Sequence, residues 1–309
     1  MGPWLVLACS APETAPAAAP APVPAANSIV RPAPIPPTSA PAEGAVYAVG
    51  DLHGDLDNAI AALHLAGVVD AGGHWTGGAA VLVQTGDVLD RGPDGRTLLA
   101  WQRALSAEAA AAGGRVVSLL GNHEVMNLRG DWRYVVPGDV EQYGGADARR
   151  SALSPAGEDG RWLRSLDSVA RVGDTVFVHG GVRASFAPAG AEGLSSQVRA
   201  ALDQVEEAPI LGEQGPLWYR GYVTDPEAAA CPELHQALAA LGARRMVVGH
   251  TTRRDGKIEA RCGGALVVID VGVADAYGGK LAVLELRPGA DAWGVYPSGP
   301  VDLPDPVDP

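Results

Sequence analysis

The chain has 309 residues, enough for one large α/β domain with a full core once its first forty-odd residues are set aside. Hydrophobic residues make up 47% of it and aromatics only 5%, so that core must be built mainly from Ala, Val and Leu. A formal net charge of -13, from 36 acidic against 23 basic residues, argues against nucleic acid as a partner, because phosphate backbones are held by Lys and Arg.

The N-terminal run Trp4-Leu5-Val6-Leu7-Ala8-Cys9-Ser10 is apolar and ends in a small residue and a cysteine. It resembles the cleavage box of a bacterial lipoprotein signal, which predicts a lipidated Cys9, a membrane tether and a place in the cell envelope or periplasm. No Lys or Arg precedes the run, so a frayed cytoplasmic N-terminus is the alternative. From Ala11 to Pro41 the chain is dominated by Ala and Pro, a composition that favours semi-rigid polyproline-like linkers over packed elements. No later segment approaches the ~20 apolar residues of a membrane span. The expected layout is a signal and tether over 1–43, one folded domain over 44–297 and a loose Pro- and Asp-rich tail over 298–309.

Within the domain, β-branched and apolar runs predict strands at 45–49, 79–85, 115–120, 175–179, 244–249, 264–270 and 280–286. Helical patterns fall between them at 56–66, 94–112, 192–207 and 232–241, the alternation of a layered α/β domain. Residues 128–164 lack a clean strand signal and read as a helical or irregular insertion. Cys231 and Cys262 flank the strand before His250, and pairing or two buried free thiols are both open.

Three blocks follow predicted strands directly: Gly50-Asp51-Leu52-His53-Gly54-Asp55, Gly86-Asp87-Val88-Leu89-Asp90-Arg91-Gly92 and Gly121-Asn122-His123-Glu124. His179 and His250 stand in the same context after two later strands. Open α/β sheets bind ligands at such carboxyl ends. Imidazole, carboxylate and amide oxygen suit divalent ions of the Mn, Fe or Zn kind. Asp51, His53 and Asp87 are expected to hold one ion, and Asp87, Asn122, His179 and His250 a second, with Asp87 as the bridge. Two ions about 3.5–4 Å apart would clamp the attacking and leaving oxygens of a phosphoryl displacement. His64 lies in an apolar helix pattern, and His74 and His235 lie in loop or helix-start contexts, so these three are expected to be structural.

The Asp-x-His, Gly-Asp-x-x-Asp-Arg-Gly and Gly-Asn-His-Glu blocks, with His179 and Gly249-His250-Thr251, resemble those of the metallophosphoesterase superfamily and its phosphoprotein phosphatases. Gly215-Pro216-Leu217-Trp218-Tyr219-Arg220-Gly221-Tyr222, Asp270-Val271-Gly272 and Tyr277-Gly278-Gly279 resemble the bacterial Shewanella-like branch. The resemblance implies a four-layer α/β sandwich of two mixed sheets flanked by helices, two divalent metals, and attack by metal-activated hydroxide on a phosphorylated protein.

His123 adjoins a proposed ligand whose side chain diverges from its own, so it is the candidate general acid, and Asp90 is its expected partner. Arg91 and Arg220 are candidates to hold phosphate oxygens. Trp132, Tyr134, Tyr143, Trp218, Tyr219, Tyr222 and Tyr277 are expected to border the metal loops and to favour phosphotyrosine. A diadenosine-tetraphosphate-type nucleotide hydrolase shares the metal blocks and is the enzymatic alternative. A catalytically silent tethered binding module is the other.

Overall fold

The computed structural model describes residues 1–2, 44–204, 208–288 and 292–306; Cys9 and the Ala/Pro-rich stretch, the expected anchor and tether, lie outside the described residues. The strands are β1 (Val46–Val49), β2 (Val81–Gln84), β3 (Arg115–Ser118), β4 (Val169–Val172), β5 (Thr175–Val178), β6 (Arg245–Val248), β7 (Glu259–Arg261), β8 (Leu266–Val268), β9 (Val283–Leu286), β10 (Ala292–Tyr296) and β11 (Gly299–Leu303). They form a six-stranded sheet in the order β11-β10-β9-β1-β2-β3 and a five-stranded sheet in the order β4-β5-β6-β8-β7. Both are mixed. In the first, β1, β2 and β3 run parallel and β9 to β11 antiparallel; in the second, β5, β6 and β8 run parallel between antiparallel edges.

The helices are α1 (Leu56–Leu65), α2 (Gly95–Ala111), α3 (Asn122–Leu128), α4 (Pro137–Gln142), α5 (Ala146–Leu153), α6 (Glu158–Ser165), α7 (Gly190–Leu202), α8 (Gly221–Thr224) and α9 (Glu227–Leu241). α1 starts where the Asp55 carboxylate accepts the Asn58 backbone N–H, a side-chain N-cap. α2 packs on β3 and α7 on β4. One contiguous core runs through both sheets and their helices, and its strands are Ala, Val and Leu on both faces, as parallel strands covered by helices require. The result is the expected sandwich of two mixed sheets flanked by helices.

Several boundaries differ from expectation. The loose tail over 298–309 is corrected: β11 pairs with β10 from Gly299↔Tyr296 to Leu303↔Ala292 and closes one sheet edge. Pro300 and Asp302 hide this strand in the sequence, yet both suit an edge, where a missing N–H and a charge are tolerated. β4 and β5 form a hairpin around Gly173 and Asp174. Helix α7 ends at Leu202, and α9 starts at Glu227, earlier than the 232 expected, with Pro232 inside it. The insertion is helical, comprising α4, α5 and α6. Of the two states open to the cysteines, Cys231 and Cys262 adopt the disulfide, with Cα atoms 5.4 Å apart, tying α9 to the end of β7.

Candidate active site

Asp51 and His53 leave the end of β1, Asp87 that of β2, Asn122 that of β3, His179 that of β5 and His250 that of β6. Loops from two sheets thus meet at one place. The first two are stitched by backbone: Leu52 and His53 N–H both donate to the Asp87 carbonyl (2.9 Å each), and Gly54 N–H to Val88 (2.8 Å). Gly54 and Gly92 face each other so closely that a Cβ on either would strike the other's backbone. The Glu124 carboxylate is fully buried and accepts backbone N–H groups from Asp87 (2.8 Å), Val88 (2.9 Å), Leu89 (3.1 Å) and Gly121 (2.8 Å). His53, Asp87, Asp90, Arg91 and His250 all have left-handed φ, between 43° and 71°, and Cys262 is the one further such non-glycine among the described residues. Backbone held in that region costs about 1–3 kcal/mol per residue and clusters where function requires a fixed geometry.

The side chains converge on Asp87 Oδ2. His179 Nε2 lies 3.2 Å from it, and His53 Nε2 and His123 Nε2 each lie 3.8 Å away. His179 Nε2 also faces Asn122 Oδ1 at 2.9 Å, and His53 Nε2 faces Asp51 Oδ2 at 3.8 Å. The tautomers follow from the other ring nitrogens, because a carbonyl can only accept. His179 Nδ1 donates to Thr85 O (3.0 Å), His53 Nδ1 to Leu89 O (3.1 Å) and His250 Nε2 to Trp218 O (3.1 Å). His179 Nε2 and His53 Nε2 therefore face oxygens that are acceptors too, those of Asn122, Asp87 and Asp51, while His250 Nδ1 lies 3.5 Å from Arg220 Nη2.

The electrostatics repeat that pattern. Burial pushes His53 down to about 4 and His250 down to about 2, so both rings are neutral at pH 7. Burial, Asp270 and Asp87 hold Asp51 well above the usual carboxylate range. Burial alone would raise Asp87 as well, but His179 and His123 keep it well below. Asp270 Oδ2 is buried and has no hydrogen-bond partner among the described residues. Imidazole nitrogens, carboxylates and an amide oxygen gathered this closely, with one carboxylate oxygen left unpartnered, are what divalent cations satisfy, and such donors suit Mn, Fe or Zn. Two clusters at this site have ligand atoms close enough for an ion: His53 with Asp87 and His123, and Asp87 with His179 and His250.

His123 stands apart from the other imidazoles in its partner. Its Nδ1 donates to Asp90 Oδ2 at 2.7 Å, and Asp90 is fully buried. Burial opposes charge on this ring, but Asp87 and the Asp90 hydrogen bond outweigh it and raise its pKa. Arg91 and Arg220 both line the open cavity of about 690 Å³ over these groups. The Arg91 guanidinium lies 3.9 Å over the Tyr134 ring, and its buried Nε has no partner among the described residues. Arg220 Nη1 donates to His250 O at 2.5 Å and to Thr251 Oγ1 at 3.3 Å.

The expected aromatic border is only partly there. Tyr134, Trp218 and Tyr277 line the cavity, with Tyr277 stacked on His53 (4.9 Å, 23° between planes). Trp132 and Tyr143 instead flank the Arg149 guanidinium in the insertion. Tyr219 and Tyr222 pack edge to face in the core, where apolar rings bury more surface than at a cavity rim. His64, as expected, is structural: its Nδ1 donates to Val69 O. Asn127, Arg149 and Asp139 are buried near the site without having been singled out in the sequence. Asn127 alone left a signal, standing one helical turn after His123.

Calcineurin-like phosphoesterases match residues 44–254. An uncharacterised protein of Schizosaccharomyces pombe is 40% identical, over 78% of this chain and 76% of its own length. Shewanella-like protein phosphatase 2 of Arabidopsis thaliana is 33% identical, over 78% of this chain and 75% of its own. The crystal structure of a cold-active protein-tyrosine phosphatase from a psychrophilic Shewanella superposes with a TM-score of 0.73 at 27% identity, covering 86% of this chain and 82% of that one. The chain belongs to the calcineurin-like phosphoesterase family, in its Shewanella-like protein phosphatase branch.

Proposed function

We propose that this chain is a metal-dependent phosphoprotein phosphatase that hydrolyses phosphomonoesters directly and favours phosphotyrosine. The observation that carries this reading is the convergence of Asp51, His53, Asn122, His179 and His250 around Asp87, with the His123–Asp90 pair at the edge of the same cavity. Asp51, His53 and Asp87 would hold one divalent ion, and Asp87, Asn122, His179 and His250 the other, drawn from Mn, Fe or Zn. Bound there, such ions supply Lewis acidity at the phosphoryl oxygens and an activated water.

The remaining steps belong to the chain's own residues. Asp90 holds the His123 ring through Nδ1, so the proton available to the leaving oxygen is the one on Nε2, which faces the cavity. Arg91 and Arg220 both line the cavity and would hold the phosphate oxygens, Arg220 braced on the His250 carbonyl. Tyr134, Trp218 and Tyr277 supply ring faces and edges that fit a phenyl ester and have no counterpart on a phosphoserine. The relative named a protein-tyrosine phosphatase supports the same preference.

Metal analysis of purified protein, combined with turnover of matched phosphotyrosine and phosphoserine peptides and a dinucleotide polyphosphate, tests the reading. Higher kcat/KM on the phosphotyrosine peptide is the expected result. A preference for phosphoserine overturns the specificity, and turnover of the dinucleotide with neither peptide cleaved replaces the phosphatase reading with the nucleotide hydrolase. For location, the disulfide supports the envelope tether at Cys9, since such bonds persist in oxidising compartments. Membrane fractionation of wild type against Cys9→Ser tests it, and wild type wholly in the cytosolic fraction overturns it.

A further inference from the structure

The His123–Asp90 pair is not isolated. Asp90 presents two carboxylate oxygens, of which Oδ2 takes the His123 ring and Oδ1 accepts the Asn127 side-chain amide at 3.0 Å. The same Asn127 Nδ2 donates to the His123 carbonyl at 2.9 Å, so one amide group grips both members of the pair. An amide can be turned either way, and only one way puts its NH2 towards Asp90. Arg149 decides which. Its Nη2 donates to Asn127 Oδ1 at 2.8 Å, and a guanidinium can only donate, so the Asn127 oxygen must face it and the NH2 must face Asp90.

Arg149 is itself fixed. It is fully buried, its Nε donates to Asp139 Oδ2 at 2.8 Å, and the rings of Trp132 and Tyr143 lie 4.7 Å and 5.6 Å from its guanidinium. A buried charge of this kind is costly unless paired, and replacement by an apolar pair is often neutral for stability, so stability alone does not account for its presence. What the insertion does with this charge is to reach from α5 and α4, through Asn127 on α3, to the carboxylate behind His123.

We propose that Asn127 and Arg149 are positioning residues that orient Asp90 and thereby aim His123 at the leaving oxygen. The inference rests on the reading of His123 as proton donor. Proton donation matters for a poor leaving group such as a tyrosyl oxygen and matters little for 2,4-dinitrophenolate, which leaves without help. The network should therefore show itself in leaving-group dependence, which a merely structural contact would not alter.

The experiment measures kcat on a phosphotyrosine peptide and on 2,4-dinitrophenyl phosphate for wild type, Asn127→Ala and His123→Asn, with metal content and near-ultraviolet circular dichroism recorded for each. For Asn127→Ala we expect kcat on the peptide to fall about 30-fold and on the dinitrophenyl ester less than about threefold, with KM and metal content unchanged. Equal falls on both substrates, or no fall on either, overturn the proposal. His123→Asn separates the two layers: if it shows no leaving-group selectivity, the proton-donor reading fails, whereas selectivity in His123→Asn without selectivity in Asn127→Ala fails the network alone. Should Asn127→Ala not fold, the double variant Arg149→Met with Asp139→Asn removes the buried pair without leaving either charge alone. It frees the amide to turn, and we expect the same selectivity at about tenfold.

Discussion

The strand-end loops and the helical insertion over residues 128–164 both contribute to one cavity, Asp87 and Asn122 from the first and Tyr134 from the second, but they are held by different chemistry. The loops are held by backbone: Asp87 O accepts from Leu52 and His53, Glu124 gathers four N–H groups, and five residues sit in left-handed conformations. The insertion, beside one backbone bond from Arg91 N–H to Tyr134 O at 3.1 Å, is held by side chains: Arg149 on Asp139 and Asn127, Arg103 on Asp159 at 2.7 Å, and Gln142 on Thr97 and Asp94. Backbone contacts fix where ligand atoms stand, and apart from the four N–H groups that end on the Glu124 carboxylate they change little when one side chain is replaced. Side-chain contacts transmit orientation, and each can be removed singly.

The sharpest way to break this comparison is at its centre. Asp87→Asn is expected to lose metal and turnover together, with kcat falling by about ten thousandfold. His123→Asn is expected to lose about a thousandfold in kcat with metal retained. Metal analysis beside kinetics decides it, and equal metal loss in both variants would sink the division between ligand and proton donor.

Acid sharpens the contrast within the loops themselves. His53 has a folded pKa of about 4, below its ordinary value, so the unfolded chain binds the proton more readily. Its contribution is therefore present above about pH 6.5 and lost as pH falls from there to about 4, a change of about 3 kcal/mol. Urea unfolding of the metal-free wild type and His53→Gln at pH 7 and pH 4 reads it directly. The stability advantage of wild type should shrink by that amount, and an unchanged or growing gap contradicts the assignment.

Glu124→Gln keeps the shape of the side chain but replaces one oxygen with an amide that cannot accept the N–H groups converging there. A loss of about 2 kcal/mol in unfolding free energy is expected, with metal affinity weakened because the Asp87 loop is released. The mildest change is Gln142→Ala, which removes the contacts of α4 to Thr97 and Asp94 at the surface. It should cost about 1 kcal/mol and leave metal content intact, and a large loss of metal there would erase the distinction between the two regions.

The candidate ligands were readable because each stands within a few residues of a strand end, and strands of Val, Ala and Leu announce themselves locally. His179 and His250, far apart in the chain, were found the same way, each directly after its own apolar run. The strand β11 was not, because its Pro300 and Asp302 carry a loop signal that only pairing with β10 overrides. Tyr219 and Tyr222 were placed at the cavity because they adjoin Trp218, yet the chain turns there and sends them into the core.

What the sequence by itself determined is the set of candidate groups, the carboxylates, imidazoles and amide that suit divalent ions and proton transfer, and the layered α/β frame that puts them at strand ends. These are properties of short segments, set by residue type and by periodicities of a few residues. The tertiary structure decided the pairing of Cys231 with Cys262, the three rings that face the cavity, and the line from Arg149 through Asn127 to Asp90. Each depends on groups many residues apart meeting at hydrogen-bond or bonding distance, and that juxtaposition arises only when the two sheets and the insertion pack together.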